Sequence, residues 1–557
     1  MKNTVLPARS SGQQHEEGAV ALVPPPAAEE KQVDEEDRAL LKDGAVPVAS
    51  RPLAGRRLSS LGTVLRTSGV GSVMIGLVLL ALLLGARRWV GLDALSMLGN
   101  TAGIGAAQRR RHHSNSMAPP LPIPFTCGNN TSPQPRKCPG TPALPPSTDQ
   151  LLPPPAGGPA PSCPDYFRYI HDDLRPWRGA GITREAVERA RPHAFFRLVV
   201  VGGRAYVETY RRAYQIRDLF TQWGILQLMR RYPGRVPDLD IMFACDDPGQ
   251  VRAADFATPS EAPPVFRYCK DGRTLDIVFP DWSFWGWPEV GIRPWTQILE
   301  EVRQENERLR WPERQPYAFW KGSPAIYRIR HDLVACNASN GQEWNARIFT
   351  QDWRHAIRNE FKDSRIPKQC TYRYKVYVEG NAWSVSEKYI LACDSPVLFI
   401  TTPFQDILSR GLVAGKHYWP INREHVCKSI KFAVDWGNKH PAQAQLIGEQ
   451  GSRFVREEMS MDYVYDYMLH LLTEYAKLLR YKPTVPEKAV EICTESVACP
   501  SRGLHRDCLM DSMERHVAGF DPCTLPPPFT AEEAKEIADR EAKVLRKIEK
   551  MEDELAS

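Results

Sequence analysis

No cysteine precedes Cys127, although the chain has 13 cysteines among its 557 residues. Disulfides persist in oxidising compartments, so this distribution favours a cytosolic N-terminal part and a lumenal remainder. Chance placement, with reduced cysteines in the core, is the alternative. Because 13 is odd, we expect at least one thiol to be free or to pair between chains.

Several motifs of common enzyme classes are also absent. The sequence has no HExxH, CxxC, GxSxG or Walker loop, which argues against a metalloprotease, a redox protein, a hydrolase and a P-loop enzyme. Asp172-Asp173 and Asp246-Asp247 are acidic pairs without a supporting histidine, so we expect no metal and no cofactor. The net charge of +6 is weak for this length and does not indicate a nucleic-acid partner.

Charge is missing altogether from residues 67–86. At about 1.5 Å per residue, this segment spans about 30 Å as a helix, which is the thickness of the bilayer hydrocarbon. It predicts one transmembrane helix rather than a buried core helix, because both flanks are unlike a folded core. Residues 1–66 predict a disordered cytosolic tail. Residues 87–162 predict a Pro-rich stem, in which Cys127 and Cys138 are spaced to close a small loop.

The flanks of this segment indicate its orientation. Nearby arginines slightly favour a cytosolic N-terminus. Sequons at Asn129, Asn130 and Asn337 agree, because N-glycosylation needs a lumenal site. The C-terminus carries no usual ER-retrieval signal. We therefore expect a single-pass type II protein of the Golgi membrane, with the ER membrane as the alternative.

The composition becomes globular at Cys163, where short β-branched runs begin to alternate with helical patterns. Strands are predicted at 195–203, 239–247, 274–282, 316–323, 372–378 and 395–402, and helices at 210–231, 295–309, 385–392, 425–441 and 461–479. This alternation implies parallel sheets. About 320 residues exceed the usual size of one core, so we expect an α/β protein with two Rossmann-like lobes. The predicted lobes are 163–310 and 311–483, and a Cys-bearing tail with a charged, solvated helix occupies 484–557.

Candidate chemistry lies in loops that follow predicted strands, since ligands of open α/β sheets bind at the carboxyl ends of strands. Asp246 and Asp247 follow one strand, and a carboxylate there can take a proton from a hydroxyl group. Asp247-Pro248 is also a common turn former. The tryptophans between Trp282 and Trp287 can stack a sugar or belong to an aromatic core.

Two further loops suit an anion. Lys321, Gly322 and Ser323 are followed by Arg330, and such cationic side chains form charge-assisted hydrogen bonds to a diphosphate. Residues 379–388 lie between a strand and a helix, where serines bind an anion or simply cap the helix.

Six motifs occur in order, at residues 163–183, 236–248, 276–285, 318–323, 370–393 and 451–475. Together they resemble the Rumi-type protein O-glucosyltransferase family, glycosyltransferase family 90, also called the capsule-associated or lipopolysaccharide-modifying family. The plant Rumi homologues look most similar, and the resemblance covers residues 163–483. It implies a GT-B fold with the active site between the two lobes. It also implies inverting transfer from a UDP-sugar without an essential metal.

The resemblance assigns roles to single residues. Asp246 matches the catalytic base of an Arg-Asp-Tyr-Pro element, whose neighbours are replaced here by Cys245 and Asp247. We expect Asp247, Trp285 and Trp287 on the acceptor side. The implied donor-binding residues are Lys321, Gly322, Ser323, Arg330, Asn381, Ala382, Trp383, Ser384, Val385, Ser386 and Lys388.

Two positions of that donor set carry further implications. Ser386 stands where the family has a phosphate-binding arginine, and Lys388 or Arg330 is expected to compensate. Cys370 and Cys393 match a pair that forms a disulfide in Rumi-like enzymes.

Two hypotheses of different classes follow. The first is an active transferase that moves glucose or xylose from a UDP-sugar to a hydroxyl of a glycan, cell-wall polysaccharide or protein in the secretory pathway. The membrane anchor and stem favour a Golgi enzyme over a glucosyltransferase of EGF-like repeats. The second is a non-catalytic relative that binds glycans or scaffolds other Golgi proteins, which the changes at Cys245, Asp247 and Ser386 motivate. A membrane-tethered hydrolase is a distant third.

Overall fold

A computed structural model describes residues 121–127, 138, 160–337 and 342–554. All of the described residues belong to one compact unit. The predicted transmembrane segment at 67–86 and the sequons at Asn129 and Asn130 lie outside the described residues. No helix within the described ranges is both long and apolar enough to cross a membrane.

The strands alternate with helices through most of the described chain. The strands are β1 Phe196–Val201, β2 Arg204–Thr209, β3 Leu239–Phe243, β4 Val265–Arg267, β5 Ile277–Val278, β6 Gln315–Gly322, β7 Ala346–Thr350, β8 Tyr372–Tyr377, β9 Val397–Ile400, β10 Trp419–Ile421 and β11 Val490–Ile492. The helices are α1 Tyr169–Leu174, α2 Arg184–Arg189, α3 Arg217–Arg231, α4 Trp295–Arg308, α5 Arg328–Val334, α6 Trp353–Arg358, α7 Ser386–Leu391, α8 Val426–Lys439, α9 Pro441–Glu457, α10 Met461–Leu478, α11 Thr494–Ala498, α12 Gly503–Asp511 and α13 Ala531–Glu554.

The first sheet has the order β11-β2-β1-β3-β4-β5 and is mixed. β3, β4 and β5 are parallel, whereas β1 runs antiparallel to both β2 and β3. The expected parallel arrangement therefore holds for only half of this sheet. Gly202 and Gly203 account for the β1–β2 pair, because both adopt positive φ, at 58° and 73°, and form the two-residue turn of a hairpin.

The second sheet has the order β10-β9-β8-β6-β7, and every pair of neighbouring strands is parallel. This agrees with the Rossmann-like pattern predicted from the sequence. The carboxyl ends of β6 and β8 lie side by side in this sheet, so the loops at Ser323 and Glu379 that follow them share one edge.

The chain returns to the first lobe after building the second. Tyr465 of α10 accepts a hydrogen bond from the indole of Trp285 at 3.0 Å, and Tyr475 donates to the carbonyl of Asp240 in β3 at 3.0 Å. β11 then pairs with β2 as the edge strand of the first sheet. The C-terminal part of the chain is therefore part of the first lobe's structure.

Five disulfides hold this arrangement: Cys127–Cys499, Cys138–Cys493, Cys163–Cys523, Cys336–Cys427 and Cys370–Cys393. The last is the pair that the family resemblance implies. The prediction that Cys127 and Cys138 close a small loop is wrong, because both form disulfides with the C-terminal segment. Three buried cysteines are free, which agrees with the odd count: Cys245, Cys269 and Cys508.

The charged C-terminal helix α13 is docked rather than simply solvated. Ile548 is buried, and Val544 packs against the core of the second lobe. The hydroxyl of Ser429 in α8 donates to Glu552 at 2.5 Å. The expectation of a solvated helix therefore holds only for its outer face, since its inner face covers the second lobe.

Candidate active site between the two lobes

Asp246 lies just past the carboxyl end of β3, one of the two central strands of the first sheet. The buried guanidinium of Arg267 donates to its carboxylate and, at 3.1 Å, to its carbonyl. Gln250 donates to the other carboxylate oxygen at 2.7 Å. The Asp246 side chain is 30% exposed, so an approaching hydroxyl group can reach it.

Arg267 is itself held in place by a second carboxylate. Its Nε donates to Asp276 at 2.9 Å, and both side chains are fully buried. The other oxygen of Asp276 accepts the backbone amides of Gln250 and Val251. The same buried carboxylate thus fixes both of the groups that hold Asp246.

Asp247 joins the two lobes. Arg217 at the start of α3 donates to one of its carboxylate oxygens at 2.5 Å. Asn381 of the second lobe is 3.4 Å from the other. The structure therefore brings together the Asp246-Asp247 loop and the segment 381–386, as the sequence predicts for a site between the lobes.

The backbone before Arg217 is unusual. Gln215 and Ile216 adopt φ of 53° and 44°, a left-handed region that a β-branched residue rarely occupies. The guanidinium that follows lies 4.3 Å from the ring centroid of Trp282. This strained turn places Arg217 between an aromatic face and Asp247, and such strain is typical of functional sites.

In the second lobe, Arg330 connects the two loops predicted to bind a donor. Its Nε donates to the carbonyl of Glu379 at 2.7 Å, and its Nη1 donates to the carbonyl of Ser323 at 3.2 Å. Burial lowers the pKa of Arg330, while Glu379 and Asp247 act in the opposite direction. Arg330 therefore holds the two loops together from within the second lobe.

The Lys-Gly-Ser loop lies at the carboxyl end of β6. Lys321 is half-buried, its amine lies 3.5 Å from the carbonyl of Asp363, and burial lowers its pKa. A Cβ at Gly322 would lie 2.5 Å from the ring of Trp320, so a larger residue does not fit there. The cation therefore sits at the packed carboxyl end of β6.

The segment 381–386 is packed against the first lobe. Ala382 is buried, and Trp383 lies 6.0 Å from Trp282 between ring centroids. The amide of Ser384 donates to the hydroxyl of Tyr377, and the hydroxyls of Ser384 and Ser386 are 2.9 Å apart. Val385 directly precedes α7.

Lys388 does not fit the donor-binding role predicted for it. Its amine is buried and bonds to Ser283 at 2.7 Å and to Asp281 at 3.2 Å. These two partners belong to the first lobe, so Lys388 is a tie between lobes. Of the two residues expected to compensate for Ser386, only Arg330 lies beside the donor loops.

The two tryptophans predicted on the acceptor side differ in position. Trp285 is fully buried and bonds to Tyr465, so it belongs to the core and does not fit an acceptor-binding role. Trp287 is half-buried, lies 5.1 Å from Trp282, and has the guanidinium of Arg217 at 6.0 Å. It therefore stands at the edge of the candidate site.

Other predicted features lie away from the cleft. Asn337 is exposed after α5, and its side-chain oxygen accepts the amide of Ile348 at 3.4 Å. Among the described residues, Cys163, His470 and Cys523 form the one cluster of metal-type ligands. The two sulfurs of that cluster are joined in a disulfide, so it is not a metal site.

Sequence reasoning missed Arg217, Gln250 and Arg267. Gln250 follows Asp246 by four residues and is the one that a local pattern could have shown. The arginines are 21 and 30 residues from their carboxylates, and no motif connects them. They are found only when β3, β4 and α3 are placed side by side.

Comparison with known proteins agrees with this geometry. Residues 159–552 match Glycosyl transferase family 90. The chain is similar to the O-glucosyltransferase rumi of Drosophila melanogaster, with 24% identity over 350 residues that cover 59% of this chain and 81% of that protein. It is also similar to Protein O-glucosyltransferase 1 of Homo sapiens, with 27% identity over 342 residues, covering 58% and 82% respectively. The matched region takes in both lobes and the candidate site, and the chain belongs to glycosyl transferase family 90.

Proposed function

We propose that this glycosyltransferase is an inverting enzyme that moves a sugar from a UDP-sugar to an acceptor hydroxyl, with Asp246 as its base. The observation that carries the proposal is the position of Asp246, partly exposed at the end of β3 and beside the loops of the second lobe. Its relatives are named O-glucosyltransferases, which favours glucose as the sugar, with xylose as the alternative.

The proposed reaction uses the residues on both sides of the cleft. The Asp246 carboxylate takes the proton of the acceptor hydroxyl, whose oxygen attacks C1 of the sugar. The C1–O bond to the diphosphate breaks as the new bond forms, and UDP leaves. Lys321 and Arg330 are the cations predicted to bind the donor, and in this proposal they offer charge to the diphosphate without a metal.

The setting is part of the same proposal. We place the enzyme in the Golgi membrane with type II topology and a lumenal catalytic part, on the predicted segment at 67–86 and the cysteine distribution. Five disulfides support an oxidising compartment. The acceptor hydroxyl belongs to a glycan, a polysaccharide or a protein.

One observation favours a non-catalytic alternative. The hydroxyl of Ser386 bonds to Ser384, and the buried amine of Lys388 bonds to Ser283. Two of the side chains expected to contact the phosphates therefore bind other protein groups instead. A scaffold or glycan-binding protein on this fold would not bind UDP. A calorimetric titration of the protein with UDP separates the two, because binding contradicts that alternative.

Asp246→Asn is the direct test of the base. We expect UDP release from UDP-glucose or UDP-xylose to fall at least about a hundredfold, because general base catalysis contributes on this scale. UDP affinity and the thermal midpoint should stay close to those of the wild type. The measurement is UDP release by the purified full-length protein.

Asp255→Asn is the matched control, since Asp255 is exposed and its one ion pair among the described residues is with Arg252. This variant should keep wild-type turnover. Undiminished turnover by Asp246→Asn would show that another residue acts as the base.

A further inference from the structure

A cavity separate from the candidate active site opens on the first lobe, at the same edge of the first sheet as Asp246. Its volume is about 690 Å³. It lies where α2, the start of β1 and the end of β2 meet the segment before β11. The side chains that matter for binding are Glu188, Arg191, Glu208, Tyr210, Arg211 and Lys488.

A chain of contacts connects this cavity with the candidate base. Arg211 donates to the carbonyl of His193 at 2.9 Å. The ring of His193 lies 3.4 Å from the amide oxygen of Gln250, and Gln250 donates to Asp246 at 2.7 Å. The partly exposed His193 and the exposed Gln250 therefore form the surface between the cavity and Asp246.

The cavity has an excess of positive charge. No carboxylate of the described ranges pairs with Arg191, Arg211 or Lys488. Of the two lining glutamates, Glu188 is already paired with the buried Arg197 at 2.7 Å. Only Glu208 is without a cationic partner there, and it accepts the hydroxyl of Tyr210 at 3.2 Å. The cavity thus has three cations and only one carboxylate, that of Glu208, without a cationic partner.

Both arginines lie over aromatic rings. The guanidinium of Arg191 is 4.8 Å from the centroid of Tyr210, and that of Arg211 is 4.0 Å from the centroid of Phe195. Stacked in this way, their planar donor groups are pre-organised for carboxylates. These ring faces are occupied by cations, so little aromatic surface is left to stack a sugar. The cavity therefore fits an acidic polypeptide better than a glycan.

We propose that this cavity is an acceptor subsite that binds acidic side chains of a protein acceptor while the acceptor's hydroxyl lies at Asp246. This inference rests on the proposed function and narrows the acceptor to a protein with acidic residues close to the modified one. Arg191, Arg211 and Lys488 recognise the carboxylates, and the path over His193 and Gln250 sets their spacing from the reacting hydroxyl.

The test measures binding of a fluorescein-labelled oligoglutamate peptide to the full-length protein by anisotropy. We expect saturable, salt-sensitive binding that weakens about tenfold in Arg211→Gln, the size of effect expected from losing a hydrogen bond to a charged group. Arg191→Gln should weaken it similarly, whereas a neutral Gly-Ser peptide should not bind.

Arg212→Gln is the matched control, because Arg212 is the exposed neighbour of Arg211 and does not line the cavity. It should bind like the wild type. Equal losses in Arg211→Gln and Arg212→Gln would overturn the proposal, and so would displacement of the peptide by oligogalacturonate at a lower concentration than by unlabelled oligoglutamate. If Arg211→Gln does not fold, Lys488→Gln replaces it, with the same expectation.

The same preparations separate this inference from the proposed function. Asp246→Asn should bind the peptide normally while losing UDP release. Peptide binding without any UDP release would contradict the proposed transferase but not the subsite, and UDP release without peptide binding would contradict the subsite alone.

Discussion

His417 is buried, so a positive charge on its ring would oppose folding. Its Nδ1 accepts the amide of Val413 at 3.1 Å, and its ring stacks on Phe454. Burial, assisted by Lys416, lowers the pKa of His417 from 6.5 to about 3. The folded protein therefore keeps this ring neutral at acidities where an unfolded chain would protonate it.

This difference predicts a loss of stability in acid. Below pH 6.5 the unfolded chain takes up a proton that the folded chain refuses, so stability falls as the pH drops from 6.5 towards 3. His417→Asn should be less stable at pH 7 but should lose about 2 kcal/mol less than the wild type between pH 6.5 and 5. Thermal midpoints across this range measure the effect. An unaltered slope in His417→Asn would contradict the assignment.

At the same scale, the sequence placed Asp246 but not the side chains that hold it. Asp246 follows a buried strand, and this position alone makes it a candidate. Arg267 and Arg217 contact the acidic pair only because β4 and α3 lie beside β3 in space. Conversely, Trp285 and Lys388 had suitable chemistry and sequence positions but are buried, and burial depends on packing that a single sequence does not display.

Among the elements, α5 has a direct part in forming the donor side. Arg330 in its first turn bonds to the carbonyls of both Ser323 and Glu379, in the loops that follow the strands β6 and β8. These two bonds tie the loops to each other through one side chain. The helix therefore sets the distance between the two groups of donor-binding residues.

Arg330→Lys tests this role. Lysine keeps the charge but cannot bond to both carbonyls in the planar geometry of a guanidinium. We expect UDP affinity, measured by calorimetry, to fall about tenfold, since each lost charge-assisted hydrogen bond has an effect of this size. Arg328→Lys, at an exposed position on the same helix, should bind UDP like the wild type. Equal affinity in all three proteins would place the donor elsewhere.

The elements themselves were predictable where a hydrophobic pattern is long. The helices at 295–308 and 461–478 and the strands β6, β8 and β9 of the second sheet were expected close to their observed bounds, whereas the short strands β7 and β10 were not predicted. β2 was missed, although Gly202-Gly203 followed by alternating residues is a hairpin signal. β11 has three residues and is recognisable only through its pairing with β2.

At the scale of the whole molecule, residues 161–163, just before the first helices, are joined to residues 523–524, close to the C-terminal helix. Cys163 donates its amide to the carbonyl of Thr524, and the amide of Thr524 donates to Pro161. The Cys163–Cys523 disulfide closes the same contact across a separation of 360 residues. α10 also holds Cys523 in place, because Asp466 accepts the amide of Cys523 and His470 contacts its carbonyl. Segments that are about 360 residues apart in the sequence thus meet at one place, beside α10.

Replacing both Cys163 and Cys523 by alanine should show how much this closure contributes. A crosslink over a long loop mainly restricts the unfolded chain, so we expect a loss of about 2 to 4 kcal/mol and a lower thermal midpoint. The C-terminal segment should also become sensitive to limited proteolysis near residue 523, because its backbone bonds to 161–163 lose their covalent support. Removing Cys336–Cys427, which lies within the second lobe, is the control. That change should lower the midpoint without exposing the C-terminal segment, and equal proteolysis of the two variants would mean that the terminal contact holds without its disulfide.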